Sequence, residues 1–247
     1  MANITFSNTA PAAYLISFVE SFSYFENDNG IAHHYTILPD GLCDIVLFFD
    51  MENKLLDTQF YGIWNREIDV DVPANNNVLV ISLYPTAAQY LLKFSIKSFL
   101  NNYRSVNDFN HLLDPTVSYP FNDTVEIFTK YFTGQLQQID QRTIDLFCLI
   151  RERKGEIFIS EIEKRLFWNQ RQMNRYFNEW FGLSLKSYLN IIRCFATYSQ
   201  VKQGDFKPSL SFTDQSHFSK ELKKHTGNTP RQLFLKYNFP LQNSSFL

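Results

Sequence analysis

One stretch of this chain occurs twice, 45 positions apart. Residues 166–185 read LFWNQRQMNRYFNEWFGLSL and residues 211–230 read SFTDQSHFSKELKKHTGNTP. Asn169 falls on Asp214, Gln170 on Gln215, Met173 on Phe218, Arg175 on Lys220, Phe177 on Leu222 and Gly182 on Gly227. A repeat at fixed offset marks a supersecondary unit used twice. Each copy reads as a helix, with Asn169 or Asp214 as its N-cap and a glycine as its stop.

At 100° per residue, Met173, Phe177 and Trp180 lie within about 60° of one another and form the expected buried stripe of the first copy. Opposite them stand Arg171, Arg175 and Asn178, flanked by Asn174. In the second copy Phe218 and Leu222 form the stripe. Opposite stand Ser216, Lys220 and Lys223, with Ser219 on one side and His217 and Lys224 on the other. Arginine bonds guanine bidentately, amides bond adenine, and lysines and helix N-termini hold phosphates. A solvated basic face explains either copy alone. The same geometry presented twice points instead to a pair of helices reading the major groove, about one DNA turn (~34 Å) apart.

The segments around the repeat carry the helical period. Residues 142–153 place Ile144, Phe147, Cys148 and Ile150 on one face, and FISEIEKRLF forms a second helix. Residues 184–202 read as one long helix joining the two copies, and Thr229 caps a last helix opened by Pro230. The segment QGDFKPSLSF before the second copy holds Pro208, which truncates or starts the helix there. That proline supports an alternative: an interaction module that keeps the helical fold with DNA binding lost or weakened.

The first ~85 residues read differently, as strands rich in aromatic and β-branched residues. AYLISFVESFSYF, HHYTILPDGLCDIVLFF, TQFYGIW, EIDVDV and NVLVISLYP are separated by turn chemistry at PDG (39–41) and PANNN (73–77). TAAQYLLKFS then turns helical, with short helices at 95–102 and 122–137. The expected architecture is an α+β N-terminal domain, β-rich and barrel- or cupin-like, over residues 1–138. An all-α domain with two helix-turn-helix units joined by a long helix follows over 139–238, and 239–247 is a frayed tail.

The net charge of −2 conceals a division. Residues 1–140 hold 6 Lys/Arg against 16 Asp/Glu, and residues 141–247 hold 17 against 9. The basic half suits a polyanion, and the acidic half suits a different partner. Cys43, Cys148 and Cys194 form no CxxC motif, which suits core residues in a reducing cytoplasm; Cys43, beside the PDG turn, is placed where solvent could reach it. No run approaches the ~20 apolar residues of a membrane helix. Asp214, Ser216 and His217 point apart on a helix and cannot form a relay. His33 and His34 face opposite sides of a strand. No catalytic residue, metal site or cofactor is expected, so the chain reads as a non-enzyme.

FTDQSHFSKELKKHTGNTP and NQRQMNRYFNEWFGLS resemble the second and first helix-turn-helix units of the AraC/XylS family of transcription regulators. PDGLCDIVLFF, YGIW and LYPTAAQYLLKFS are similar to the N-terminal domain of a subset of that family. The resemblance implies double-stranded DNA as the partner, with base-contacting positions at Arg171, Asn174 and Arg175 in one unit. In the other it implies Gln215, Ser216, His217 and Lys220. It also implies an N-terminal domain that senses a small-molecule effector or forms a homodimer.

Overall fold

The structure, a computed structural model, describes residues 4–109, 111–207, 212 and 214–238. It divides into two compact units that do not follow the chain in simple order. The first contains the chain up to His34, Leu42–Ile63 and Asp71–Asp140. The second contains the chain from Gln141 onward together with Tyr35–Gly41 and Trp64–Val70. Those two short segments lie inside the 1–138 range that the linear reading assigns to the N-terminal domain.

The first unit is built on a six-stranded antiparallel sheet in the order β1-β2-β7-β4-β5-β8. Its strands are β1 (Thr5–Thr9), β2 (Val19–Asn27), β4 (Cys43–Phe49), β5 (Leu55–Tyr61), β7 (Asn76–Leu83) and β8 (Tyr103–Ser105). Two further strands, β3 (His33–Ile37) and β6 (Ile68–Val72), pair separately. Among the described residues the pairing of that sheet runs from β1 at one end to β8 at the other. All of β1 and β8 is exposed, in keeping with edge strands that have a neighbour on one side only. AYLISFVESFSYF resolves into a single 3₁₀ turn at Ala13–Leu15 and then β2.

Period-two patterning decides which sheet face is buried. Ile45, Leu47 and Phe49 stand beside Ile81 and Leu79 on β7, and beside Phe60 and Thr58 on β5. All of these are buried. Helix α1 (Phe121–Gln135) contributes Phe128 and Phe132 to the core, and Phe109 packs on Phe128 at 6.0 Å between ring centroids. Gly62 has no substitute here, because a Cβ would lie 2.1 Å from the Phe99 carbonyl oxygen. Cys43 is fully buried, its thiol directed to the Leu83 carbonyl at 3.7 Å, so the expected access from solvent is not found.

The second unit is helical: α2 (Gln141–Glu152), α3 (Ile159–Leu166), α4 (Gln170–Phe181), α5 (Leu185–Phe195), α6 (Tyr198–Lys202), α7 (Gln215–Thr226) and α8 (Pro230–Asn238). Helices α2, α3 and α4 pack together with α5, and α6, α7 and α8 form a second group that also packs on α5. Phe147, Phe177, Phe181 and Tyr188 make the aromatic centre of the first group, with ring centroids 5.2–5.8 Å apart. Cys194, Tyr198, Val201, Phe218, Leu222 and Leu233 make the core of the second, and Leu38 from the Tyr35–Gly41 segment belongs to it.

The single helix expected over 184–202 is two helices. The chain turns at Ala196–Thr197, where the Thr197 N–H and hydroxyl both donate to the Cys194 carbonyl, at 2.9 and 2.7 Å. That satisfies the last carbonyls of α5 locally and restarts the helix at Tyr198.

Candidate nucleic-acid interface

The two repeated segments are α4 and α7, and their ends are built alike. Asn169 caps α4 through a reciprocal box: its side chain accepts from the Gln172 N–H at 2.9 Å, and the Gln172 side chain accepts from the Asn169 N–H at 3.3 Å. Asp214 caps α7 by accepting from the His217 N–H at 2.7 Å. Both helices stop at a glycine in the left-handed region, Gly182 at φ 75° and Gly227 at φ 67°. The buried stripe of α4 is Met173, Phe177 and Phe181; Trp180, which the helical period places in that stripe, is only part-buried. In α7 the stripe is Phe218 and Leu222, extended by His225 and Thr226.

Arg171, Arg175 and Asn178 are exposed on α4, as are Gln215, Ser216, Lys220 and Lys223 on α7. Asn174 and His217 are part-buried. Several of these side chains have partners inside the unit. The Asn174 side-chain oxygen accepts from the Leu185 N–H at 3.2 Å, which ties α4 to the start of α5. The Asn178 amide donates to the Asn174 carbonyl at 2.8 Å, and Arg175 stands 3.9 Å from Glu179. His217 meets the ring of Phe212 at 5.8 Å. A weak, exposed pair such as Arg175–Glu179 is worth at most a few tenths of a kcal/mol and does not hold the arginine from another partner. Asn174 is different, because its oxygen serves the fold.

Asp214 is committed to its cap, and the imidazoles of His33 and His34 pair with Asn29 and Asp71. Among the described residues no group of three or more His, Cys, Asp or Glu is placed to hold a metal ion. Burial holds the Cys194 thiol up at about 12, reinforced by Glu221, so it packs as an apolar group. Pro208 lies outside the described residues. Among those described, no helix stands between Lys202 and Gln215. No described helix is long and apolar enough to cross a membrane.

Three features escaped the sequence reading. Phe158 and Phe167, at the two ends of α3, are 80% and 90% exposed, more than any other described large apolar side chain. Phe167 is also in the left-handed region, at φ 50° and ψ 39°. And the C-terminal end of α7 is anchored on Trp64–Val70: His225 Nδ1 is 2.7 Å from the Asn65 carbonyl oxygen, while Glu67 accepts from Asn228 at 3.4 Å and Lys236 at 3.1 Å. No local signal marks either segment for that role.

Residues 7–105 match a family described as a domain of unknown function, DUF6597. No curated protein matches the sequence. Among solved structures the chain is similar to ToxT from Vibrio cholerae in its P21 crystal form, at 14% identity over 94% of this chain and 97% of that one, with a TM-score of 0.42. It is also similar to ToxT of Vibrio cholerae strain SCE256 with unsaturated fatty acid bound, at 16% identity over 94% of each chain and a TM-score of 0.40.

Proposed function

We propose that this protein is a sequence-specific DNA-binding transcription regulator that reads adjacent major-groove segments with α4 and α7. The observation that carries this reading is the repeated construction of the two helices. Each has a side-chain cap, an apolar stripe turned into its own core, a left-handed glycine exit, and exposed basic and amide residues. Arg171 and Arg175 on α4, with Gln215, Ser216, Lys220 and Lys223 on α7, are the groups for bases and phosphates. Asn174, Asn178 and His217 complete the proposed set, with Asn174 acting through its amide donors. The balance of 17 Lys/Arg against 9 Asp/Glu over residues 141–247 supports a polyanionic partner. The first unit, acidic in sequence, is the regulatory part, sensing a small-molecule effector or holding a homodimer, and the protein acts in the cytoplasm without enzymatic activity.

A second reading keeps the fold and gives up the DNA: an interaction module. Its support is local to the second copy, where the short segment QGDFKPSLSF ahead of α7 holds Pro208.

Selection of bound sequences from a random duplex pool, with the full chain at near-physiological salt, separates the two. Recovery of two half-sites about 10 bp apart supports paired reading by α4 and α7. A single half-site limits reading to one helix, and no enrichment supports the interaction module.

A further inference from the structure

Phe167 is placed against physical preference in two ways. Burying a phenylalanine side chain is strongly favourable, and this one is left 90% exposed. It also occupies the left-handed region, where a bulky residue is strained and where this chain uses glycine to end α4 and α7. Strain that persists at an exposed aromatic is a pointer to function.

Its place in the chain is next to the candidate reading helix. Phe167 stands two residues before Asn169, the cap of α4, and four before Arg171. Four residues of chain span at most about 14 Å, so Phe167 lies close to the N-terminal turn of α4. Exposed polar and basic neighbours surround it in sequence: Lys164 and Arg165 on one side, Asn169, Gln170 and Arg171 on the other. Arg165 pairs with Glu161 at 2.9 Å and Glu163 accepts from the Gln170 N–H, which leaves Lys164 and Arg171 as the nearby cations beside the apolar tip. A polar and cationic setting suits a polyanion with apolar groups exposed in its grooves better than an apolar protein surface. DNA has one such group, the thymine 5-methyl in the major groove, and aromatic side chains pack on it.

We propose that Phe167 reads the methyl group of a thymine beside the base pairs contacted by α4. The turn between α3 and α4 is then a specificity element in its own right, and its left-handed geometry serves to project the ring. This rests on the DNA-reading function proposed above and adds a contact to it.

The test uses the full chain and the duplex sequence that it selects. Each thymidine is replaced in turn by 2′-deoxyuridine, which removes only the methyl group. For the unchanged protein, one replacement next to the positions that depend on Arg171 weakens binding about fourfold, the worth of one buried methyl. In Phe167→Ala that same replacement has no effect. Phe167→Gly serves as the folding control: it relieves the left-handed strain, so its melting temperature holds or rises while its sensitivity to the methyl is lost. A flat deoxyuridine scan, or one unchanged in Phe167→Ala, overturns the assignment. If Arg171→Ala still alters base preference in that case, the DNA-reading function stands and only the Phe167 contact falls. If the unchanged protein selects no sequence, both fall together.

Discussion

His225 and Asn65 are 160 positions apart in the chain and 2.7 Å apart in the structure, imidazole Nδ1 to carbonyl oxygen. The carbonyl only accepts, so Nδ1 carries the proton and Nε2 is the unprotonated nitrogen of a neutral ring. The residue is 3% exposed, and burial lowers its pKa below the ordinary 6.5. Lys224 works in the same direction, while the Asn65 hydrogen bond and Glu221 oppose it. A lowered histidine binds its proton more weakly when folded than when unfolded. The unfolded chain therefore takes up more protons as pH drops below about 6.5, and stability falls until the folded pKa is passed. We expect the helical signal of the protein to melt at lower temperature at pH 5.5 than at pH 7.5. In His225→Gln, which keeps a donor for Asn65, the difference should shrink. An equal difference in the variant would assign the pH dependence elsewhere.

Leu38 is expected to behave as a core residue of the helices. It is 6% exposed within the cluster that also contains Phe218, Leu222 and Leu233. Leu38→Ala should cost about 2–4 kcal/mol, read as a lower denaturant midpoint of the ellipticity at 222 nm. A change under about 0.5 kcal/mol would mean that the cluster closes without it.

Gly41 tests the same segment sterically. Its φ is +82°, and a Cβ there would come within 2.5 Å of the Ile192 side chain and 3.1 Å of Tyr188. Its carbonyl accepts from the Tyr188 hydroxyl at 3.2 Å, so backing away carries a loss as well. Gly41→Ala should destabilise by about 1–3 kcal/mol, with chemical denaturation as the measurement. A neutral outcome would contradict the close approach.

Asn174 and Arg171 should separate structure from recognition. Arg171→Ala should weaken binding to the selected site by about 1–3 kcal/mol with the melting temperature unchanged. Asn174→Ala should lower the melting temperature as well, because the Leu185 N–H loses its acceptor, a loss of about 1 kcal/mol. Asn174→Asp restores the acceptor and removes the amide donors. It should recover stability without recovering the original base preference. If Asn174→Asp binds like the unchanged protein, the side chain is a strut between α4 and α5 and nothing more.

Lys220 should act through phosphates. Its replacement by alanine should weaken binding to all duplexes to a similar degree and reduce the salt slope of log K by about one. An effect confined to one base position would make it a base contact instead.

The parts of this fold that could be read from the sequence are those whose signals are local. Asn169 and Gly182 bracket α4 because a cap and a left-handed exit each demand a particular residue where they stand. Strand alternation through Ile45, Leu47 and Phe49 names a buried face by the same logic. The break at Ala196–Thr197 could not be read, since CFATYSQ holds neither glycine nor proline and the apolar period continues across it. Trp180 and Phe181 stand 100° apart on either side of the Met173–Phe177 line, and the packing of Phe181 on Phe147 decides which of them is buried. Of the candidate interface, the exposed arginines and lysines were legible from periodicity. The tie from Asn174 to Leu185 and the exposure of Phe167 were not, because both depend on how the turn at one end of α4 meets its neighbours. Leu38 reads from the sequence as part of a strand domain, because a two-residue period reveals that a face is covered and not by what.

The joining of Leu38 to Leu233 has a consequence during synthesis. At a typical ~5–20 residues per second, the segment carrying Leu38 leaves the ribosome roughly ten to forty seconds before its partner helix is made. Through that interval an apolar strand end has no native place to go, and the helices that follow have an unfinished centre. The chain therefore cannot mature strictly from its beginning to its end. Its last helices close a space that its first hundred residues opened, which makes the nascent protein a natural client for whatever shields unpaired apolar segments at the tunnel exit.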